Sequence, residues 1–165
     1  MVVKSLLFIV IFLWLQGEPT QRTILFFGDS LTAGYGLSPE EAFPALVEKQ
    51  LTGKGKRCKV INAGLSGETS AGGLTRIDWV LRQPVDVFVL ELGANDGLRG
   101  LPLNQTRFNL QAIIDKVKTK FPNAKLVITG MMVPPNMGPE YAAGFKALFP
   151  ELAKKKQCGA CSLSA

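Results

Sequence analysis

Histidine is missing from all 165 residues. A serine that attacks carbonyl groups normally hands its proton to an imidazole, so any nucleophile in this chain stands without its usual base. Cysteine is scarce, at three residues. Cys58 sits in "RCKVINAG", whose alternation predicts a strand and a half-buried free thiol. Cys158 and Cys161 make a lone "CGAC", without the second ligand pair that zinc would use and without the strand-to-helix position of a redox motif. No metal and no cofactor are expected. The basic excess, a net +6, is spread over "KGK", "KVKTK" and "KKK" with no aromatic residues between the lysines. That pattern describes solvated helix faces and a basic tail rather than a nucleic-acid surface, so no nucleic-acid partner is expected.

What is present suits one domain with a real core: 47% hydrophobic and 19% charged residues, with no repeat and no linker. The N-terminus stands apart. Lys4 precedes "SLLFIVIFLWL", an almost wholly apolar run at 5–15, and "QGEPTQ" follows it. The run is short for a bilayer span and is read as an export signal, with an uncleaved anchor and a buried N-terminal element as the alternatives. The expected division is a signal or anchor at 1–19, a domain at 20–156 and an unstructured tail at 157–165, in a periplasmic or secreted protein.

Along the domain, short apolar runs alternate with helical patterns. "RTILFF" at 22–27, "KVINAG" at 59–64, "VDVFVLELG" at 85–93 and "AKLVITGMM" at 124–132 read as four buried strands. Between them, "SPEEAFPALVEKQL" has Ser38 as N-cap and Pro39 at the first helical position, and "AGGLTRIDWVLRQ" and "TRFNLQAIIDKVKTKF" repeat apolar residues at helical spacing. A last helix, "GPEYAAGFKALFPELAKKK", follows strand four. This alternation calls for an α/β fold, a parallel sheet with helices on both faces, ending after the fourth strand.

Chemistry in such sheets gathers where the strands end. Here those ends carry "GDSLTAG", "NAGLSGETS", "LGANDGLRG" and "GMMVPPNMG". In this order the set resembles the GDSL or SGNH hydrolases, in particular their bacterial periplasmic arylesterase, lysophospholipase and acyl-thioesterase branch. The likeness runs from residue 22 to about 155. It implies a three-layer α/β/α flavodoxin-like fold, with Ser30 as nucleophile and the Ser30 N–H, the Gly67 N–H and the Asn95 side-chain amide as an oxyanion hole. The rival G-x-S-x-G elbow of the α/β-hydrolases is absent, since "GLSGE" lacks the final glycine.

The chemistry is coherent. Donors fixed in advance around a tetrahedral oxyanion lower the barrier without reorganising. Gly67 would let the backbone approach closely, and the Asn95 amide is a neutral donor that does not compete for the Ser30 proton. Asp29 would organise the turn and Asp96 would cap the loop after strand three. Leu98, Met132 and Pro134 would line a shallow groove for a small hydrophobic ester or thioester. The family pattern also has a D-x-x-H block bringing the base, which these residues do not contain. A Ser-Lys dyad is no substitute, because S-x-x-K does not occur: Ala33, Thr69 and Gly73 follow Ser30, Ser66 and Ser70 at +3. The resulting expectation is a GDSL-type ester hydrolase, strongly impaired in this chain. The alternatives are a non-catalytic acyl-binding module and, on the two late cysteines, a thiol or metal protein. Membrane contact would come only through an uncleaved N-terminal segment.

Lys154 to Lys156 can be encoded by an unbroken run of adenines, where single-base insertions and deletions collect, and "QCGACSLSA" after them reads like another frame. The expectation is that another frame of the downstream DNA encodes an apolar strand and Asp-x-x-His within about 45 codons. Translating both alternative frames checks it, and finding neither feature would refute it.

Overall fold

The computed structural model describes residues 21–156 and 159–162. The segment at 1–19 and Cys158 lie outside the described residues, and with them the export reading and the C-G-A-C pair. In chain order the elements are β1 (Arg22–Gly28), α1 (Ser30–Ala33), α2 (Phe43–Gly53), β2 (Cys58–Gly64), α3 (Ser70–Val80), β3 (Val87–Glu91), α4 (Ala94–Leu98), α5 (Leu103–Lys120), β4 (Lys125–Gly130), α6 (Pro139–Lys156) and β5 (Gly159–Ser162). The sheet order is β2-β1-β3-β4-β5, and every pairing is parallel. This is the flavodoxin-like order, as anticipated. No described helix is long and apolar enough to cross a membrane.

Alternation within each strand sorts side chains between the two faces. Leu25 and Phe27 of β1, Phe88 and Leu90 of β3, and Leu126 and Ile128 of β4 point to one face. There they meet Ile77 of α3, Leu110, Ile113 and Ile114 of α5, and Phe145 and Phe149 of α6, in one buried cluster. The Phe27 and Phe88 rings stack at 5.9 Å. α3 lies tight on this face: a Cβ on Gly73 would come within 2.5 Å of Leu92 Cδ2. Phe26 points the other way, edge-on to Phe43 of α2 at 5.3 Å. Beyond α2 that second face is thinly covered. Val87 and Val127, though on interior strands, are only half-buried, and Ile24, Leu51, Cys58 and Val87 line an open hollow of about 540 Å³.

Two expectations need correcting. The second helix begins at Phe43, not Ser38. Ser38 instead closes a separate turn, its N–H and hydroxyl both donating to Glu41 at 3.0 and 2.9 Å. Pro44 in the first helical turn marks the real start, because the N–H that proline lacks would have no intrahelical partner there. The second correction concerns the tail and the end of the sheet. Residues 159–162 are not unstructured but form β5, paired with β4 from Val127↔Gly159 to Gly130↔Ser162. A fifth strand therefore covers the β4 edge that the sequence reading left open. Small residues carry no apolar alternation, and a four-residue edge strand can be held by backbone hydrogen bonds alone.

The unequal faces give a direct contrast between sequence neighbours. Phe88→Ala should cost about 3–5 kcal/mol in urea unfolding, as for a buried aromatic, whereas Val87→Thr on the open face should cost less than about 1 kcal/mol. Equal losses would mean that both faces are packed alike.

Candidate active site

β1 and β3 are neighbours, but the chain leaves them in opposite directions: toward β2 after β1, and toward β4 after β3. The crevice at such a switch point is where open α/β sheets bind ligands. Ser30 opens α1 immediately after β1 and is half-buried. α1 is a single turn closed at both ends. Asp29 caps it, its carboxylate accepting the Leu31 N–H at 3.2 Å, and Gly34 ends it in the left-handed region. Asp29 is thus tied to the first turn of α1. It is fully buried, its Oδ2 has no partner, and burial raises its pKa. Among the described residues no side chain hydrogen-bonds the Ser30 hydroxyl.

Gly67 follows β2 in an exposed loop. Its φ is +80°, and a Cβ there would meet nothing within 4 Å. Glycine is favoured there by the backbone conformation, a reason the sequence reading did not give. The loop is gripped from the β3 side. Asn95 Nδ2 donates to the Glu68 carbonyl at 3.0 Å and Arg99 donates to the Gly67 carbonyl at 3.2 Å. An amide nitrogen carries two N–H groups, so Asn95 can hold this loop with one and keep the other for a ligand. Glu68 is itself buried against Arg76, in a close ion pair at 2.5 Å. The Arg76 guanidinium donates to the Ala63 carbonyl at 2.9 Å and lies 4.5 Å from the Phe27 ring centroid.

The Asp96 side chain reaches beyond its own loop. Its buried carboxylate reaches α3, accepting the Ser70 N–H at 2.7 Å and the Ser70 hydroxyl at 2.5 Å, and it also takes the Thr106 hydroxyl at 3.2 Å. Asn109 donates to the Ser70 hydroxyl at 3.0 Å. Asp96 therefore binds the β3 loop to the helix that begins three residues after Gly67 and to α5. Of the proposed groove residues, Leu98 is 58% and Met132 48% exposed, and Pro134 is exposed. Leu31 at 56% and Leu65 at 50% join them, so each of the first four strand ends contributes an exposed apolar side chain. The signal for the added pair was legible: Leu31 follows Ser30, and Leu65 lies two residues before Gly67.

One buried residue escaped the sequence reading. Glu91 ends β3 with no solvent exposure, its Oε2 accepting the Thr32 N–H at 3.1 Å and the Thr32 hydroxyl at 2.6 Å. Its Oε1 has no partner. Burial, reinforced by the Asp29 charge, raises its pKa to about 7. The available signal was an acidic residue closing an otherwise apolar strand, "VFVLE".

The family model of the GDSL-like lipase/acylhydrolase family matches residues 26–163. Esterase TesA of Pseudomonas aeruginosa is 36% identical over 144 residues, which are 87% of this chain and 71% of that protein. Thioesterase 1/protease 1/lysophospholipase L1 of Escherichia coli K12 is 42% identical over 134 residues, 81% of this chain and 62% of that one. Among solved structures, AlinE4, described as an SGNH-hydrolase family esterase, superposes with a TM-score of 0.81 at 41% identity, over 87% of this chain and 77% of its own.

Asp29 and Glu91 contribute a pH dependence with a definite sign. Unfolded, Glu91 ionises near 4.5; folded, near 7. In that window the unfolded chain has lost a proton that the folded one keeps, so the contribution of Glu91 to stability is fullest below about 4.5 and is lost as pH rises through 7. For Glu91 the loss amounts to up to about 3 kcal/mol, and Asp29 acts in the same direction. Urea midpoints should fall between pH 5 and 7.5, and Glu91→Gln should flatten that fall. An identical slope in the variant would contradict the assignment.

Proposed function

Since the chain belongs to the GDSL-like lipase/acylhydrolase family, a family of ester hydrolases, we propose that its site is built to cleave small hydrophobic acyl esters or thioesters through an acyl-serine intermediate. The observation that carries this reading is the clasp beside the Ser30 turn, in which Asn95 and Arg99 hold the Glu68 and Gly67 carbonyls. Ser30 Oγ forms a bond to the acyl carbon, and the carbonyl electrons move onto oxygen. The N–H groups of Ser30 and Gly67 and the free N–H of Asn95 receive that negative charge. Collapse breaks the bond from the acyl carbon to the leaving oxygen or sulfur, the leaving group takes up a proton as alcohol or thiol in exchange for the one Ser30 loses to solvent, and water then releases the acid from Ser30. Leu31, Leu65, Leu98 and Met132 supply the apolar surface for the acyl chain, and Pro134 extends it.

The proton of Ser30 has no imidazole to receive it, because the 165 residues hold no histidine. The chain by itself is therefore a slow catalyst. Loss of the histidine in subtilisin, for comparison, lowers turnover by about 10⁶. The same absence favours a second reading, a pocket that binds acyl groups without turning them over.

Imidazole added to the solution separates the two. Over its own background with p-nitrophenyl esters, it should accelerate hydrolysis by the wild-type chain and not by Ser30→Ala, and Asn95→Ala should lower the protein-dependent rate by about 10². No difference between wild type and Ser30→Ala, together with saturable binding of fatty acyl ligands, would establish the binding module instead. Activity confined to peptides or sugars in the same panel would refute the ester assignment.

A further inference from the structure

Glu91 lies outside the chemistry proposed above, yet its carboxyl is among the costliest groups in the fold. A carboxyl removed from water is costly unless its partners compensate, and among the described residues one oxygen here has none. The other residues of β3 are apolar. What Glu91 does hold is specific: both hydrogen bonds on Oε2 come from Thr32, two residues after Ser30.

Gly28 supplies an independent observation. It stands opposite Glu91 in the β1–β3 register. A Cβ at residue 28 would fall 2.1 Å from Thr32 Oγ1, 2.3 Å from the Glu91 carbonyl oxygen and 2.6 Å from Glu91 Oε2. The glycine of "GDS" is thus the residue whose missing side chain makes room for the Thr32–Glu91 link. A helix of one turn cannot hold itself in water, and the local bonds around Ser30, from the Asp29 cap and from Tyr35 N–H to the Ser30 carbonyl at 2.9 Å, tie α1 only to its own neighbours. Thr32 and Glu91 tie it to the central sheet.

We propose that Glu91 is the positioning residue of the nucleophile, anchoring the Ser30 turn to β3 through the backbone and hydroxyl of Thr32 in the space that Gly28 leaves open. The inference rests on the reading of Ser30 as nucleophile. Glu91 touches no reacting atom and acts through the orientation of the turn. Gln at 91 retains a carbonyl oxygen for Thr32 and Ala does not, whereas Ser at 32 retains the hydroxyl and Val does not.

The test is the rate at which a p-nitrophenyl alkylphosphonate modifies Ser30 in the full chain at a fixed, high imidazole concentration. In this step the Ser30 Oγ–phosphorus bond forms, the phosphorus–aryloxide bond breaks, p-nitrophenolate leaves and imidazole takes the serine proton. Intact-protein mass and p-nitrophenolate release follow it, with circular dichroism identifying the variants that are folded. Glu91→Ala should slow modification by about 10- to 100-fold, the scale of a misplaced reacting group, and Glu91→Gln should remain within about threefold of wild type. Thr32→Val should be slowed and Thr32→Ser should not, which keeps the test decisive if Glu91→Ala does not fold. Wild-type rates in folded Thr32→Val or Glu91→Ala would overturn the proposal, as would a Gln variant as slow as Ala. Modification equally fast in Ser30→Ala, or absent from the wild-type chain, would overturn the nucleophile assignment itself and this inference with it.

Discussion

The carboxyl end of β1 is the most crowded place in the sheet, and the arrangement of the candidate site follows from that crowding. β1 is hydrogen-bonded to β2 on one side and β3 on the other, and the chain must leave it through a gap without room for side chains. A Cβ on Gly28 would strike Thr32 and Glu91, and one on Gly64, its register partner in β2, would lie 2.1 Å from the Ala33 nitrogen. α1 is pressed onto the ends of both neighbouring strands. Only the tight Asp29–Ser30 turn fits the gap, and it leaves Ser30 half-exposed where β1 and β3 diverge.

Charge is distributed around this turn by a consistent logic. Asp29, Glu91, Asp96 and Glu68 are all buried, and each takes hydrogen bonds from a segment that adjoins the site. Asp29 serves the first turn of α1, Glu91 serves Thr32, Asp96 serves the start of α3, and Glu68 is gripped by Arg76. Among the described residues, Glu68 alone of these four has a cation against it. The other carboxyls rely on N–H and O–H donors, which compensate burial incompletely, and for Asp29 and Glu91 the raised pKa records the remainder. Apolar residues would fill these positions at lower cost but would hold none of the loops. The arrangement exchanges stability for fixed geometry, a common compromise where a site must be preorganised.

Much of this was legible in the sequence because it depended on local pattern. Apolar runs closed by glycine located the four strands to within a few residues, and "GDS", "SGETS" and "GAND" marked the strand ends where the candidate residues lie. What escaped depended on contacts distant in sequence. Nothing near Glu91 says that it will meet Thr32, fifty-nine positions away, and nothing near Asp96 says that its partner is Ser70, twenty-six away. The positive φ of Gly67 also escaped, because a sequence does not distinguish a glycine needed for its φ from one needed for its lack of bulk. The start of α2 was misplaced for a local reason: Ser38 and Glu41 satisfy each other as a capping pair does, one turn too early. β5 was missed because its small residues are held by backbone pairing and carry no pattern.

The proposed oxyanion donors come from neighbouring strand ends and are assembled by bonds among their own loops. Ser30, Gly67 and Asn95 come from the ends of β1, β2 and β3. The bonds that tie their loops together, Asn95 to Glu68, Arg99 to Gly67 and Asp96 to Ser70, all lie within residues 67–99. The link from Thr32 to Glu91 closes the same circle. None of these bonds involves a group that would serve as the base, so the serine turn and its donors have a geometry independent of proton transfer. A site built this way should polarise a bound carbonyl independently of the step in which the Ser30 proton leaves. Imidazole supplied from solution acts on that step alone, so any acceleration it produces at Ser30 measures how much of the remaining catalytic geometry these residues already hold.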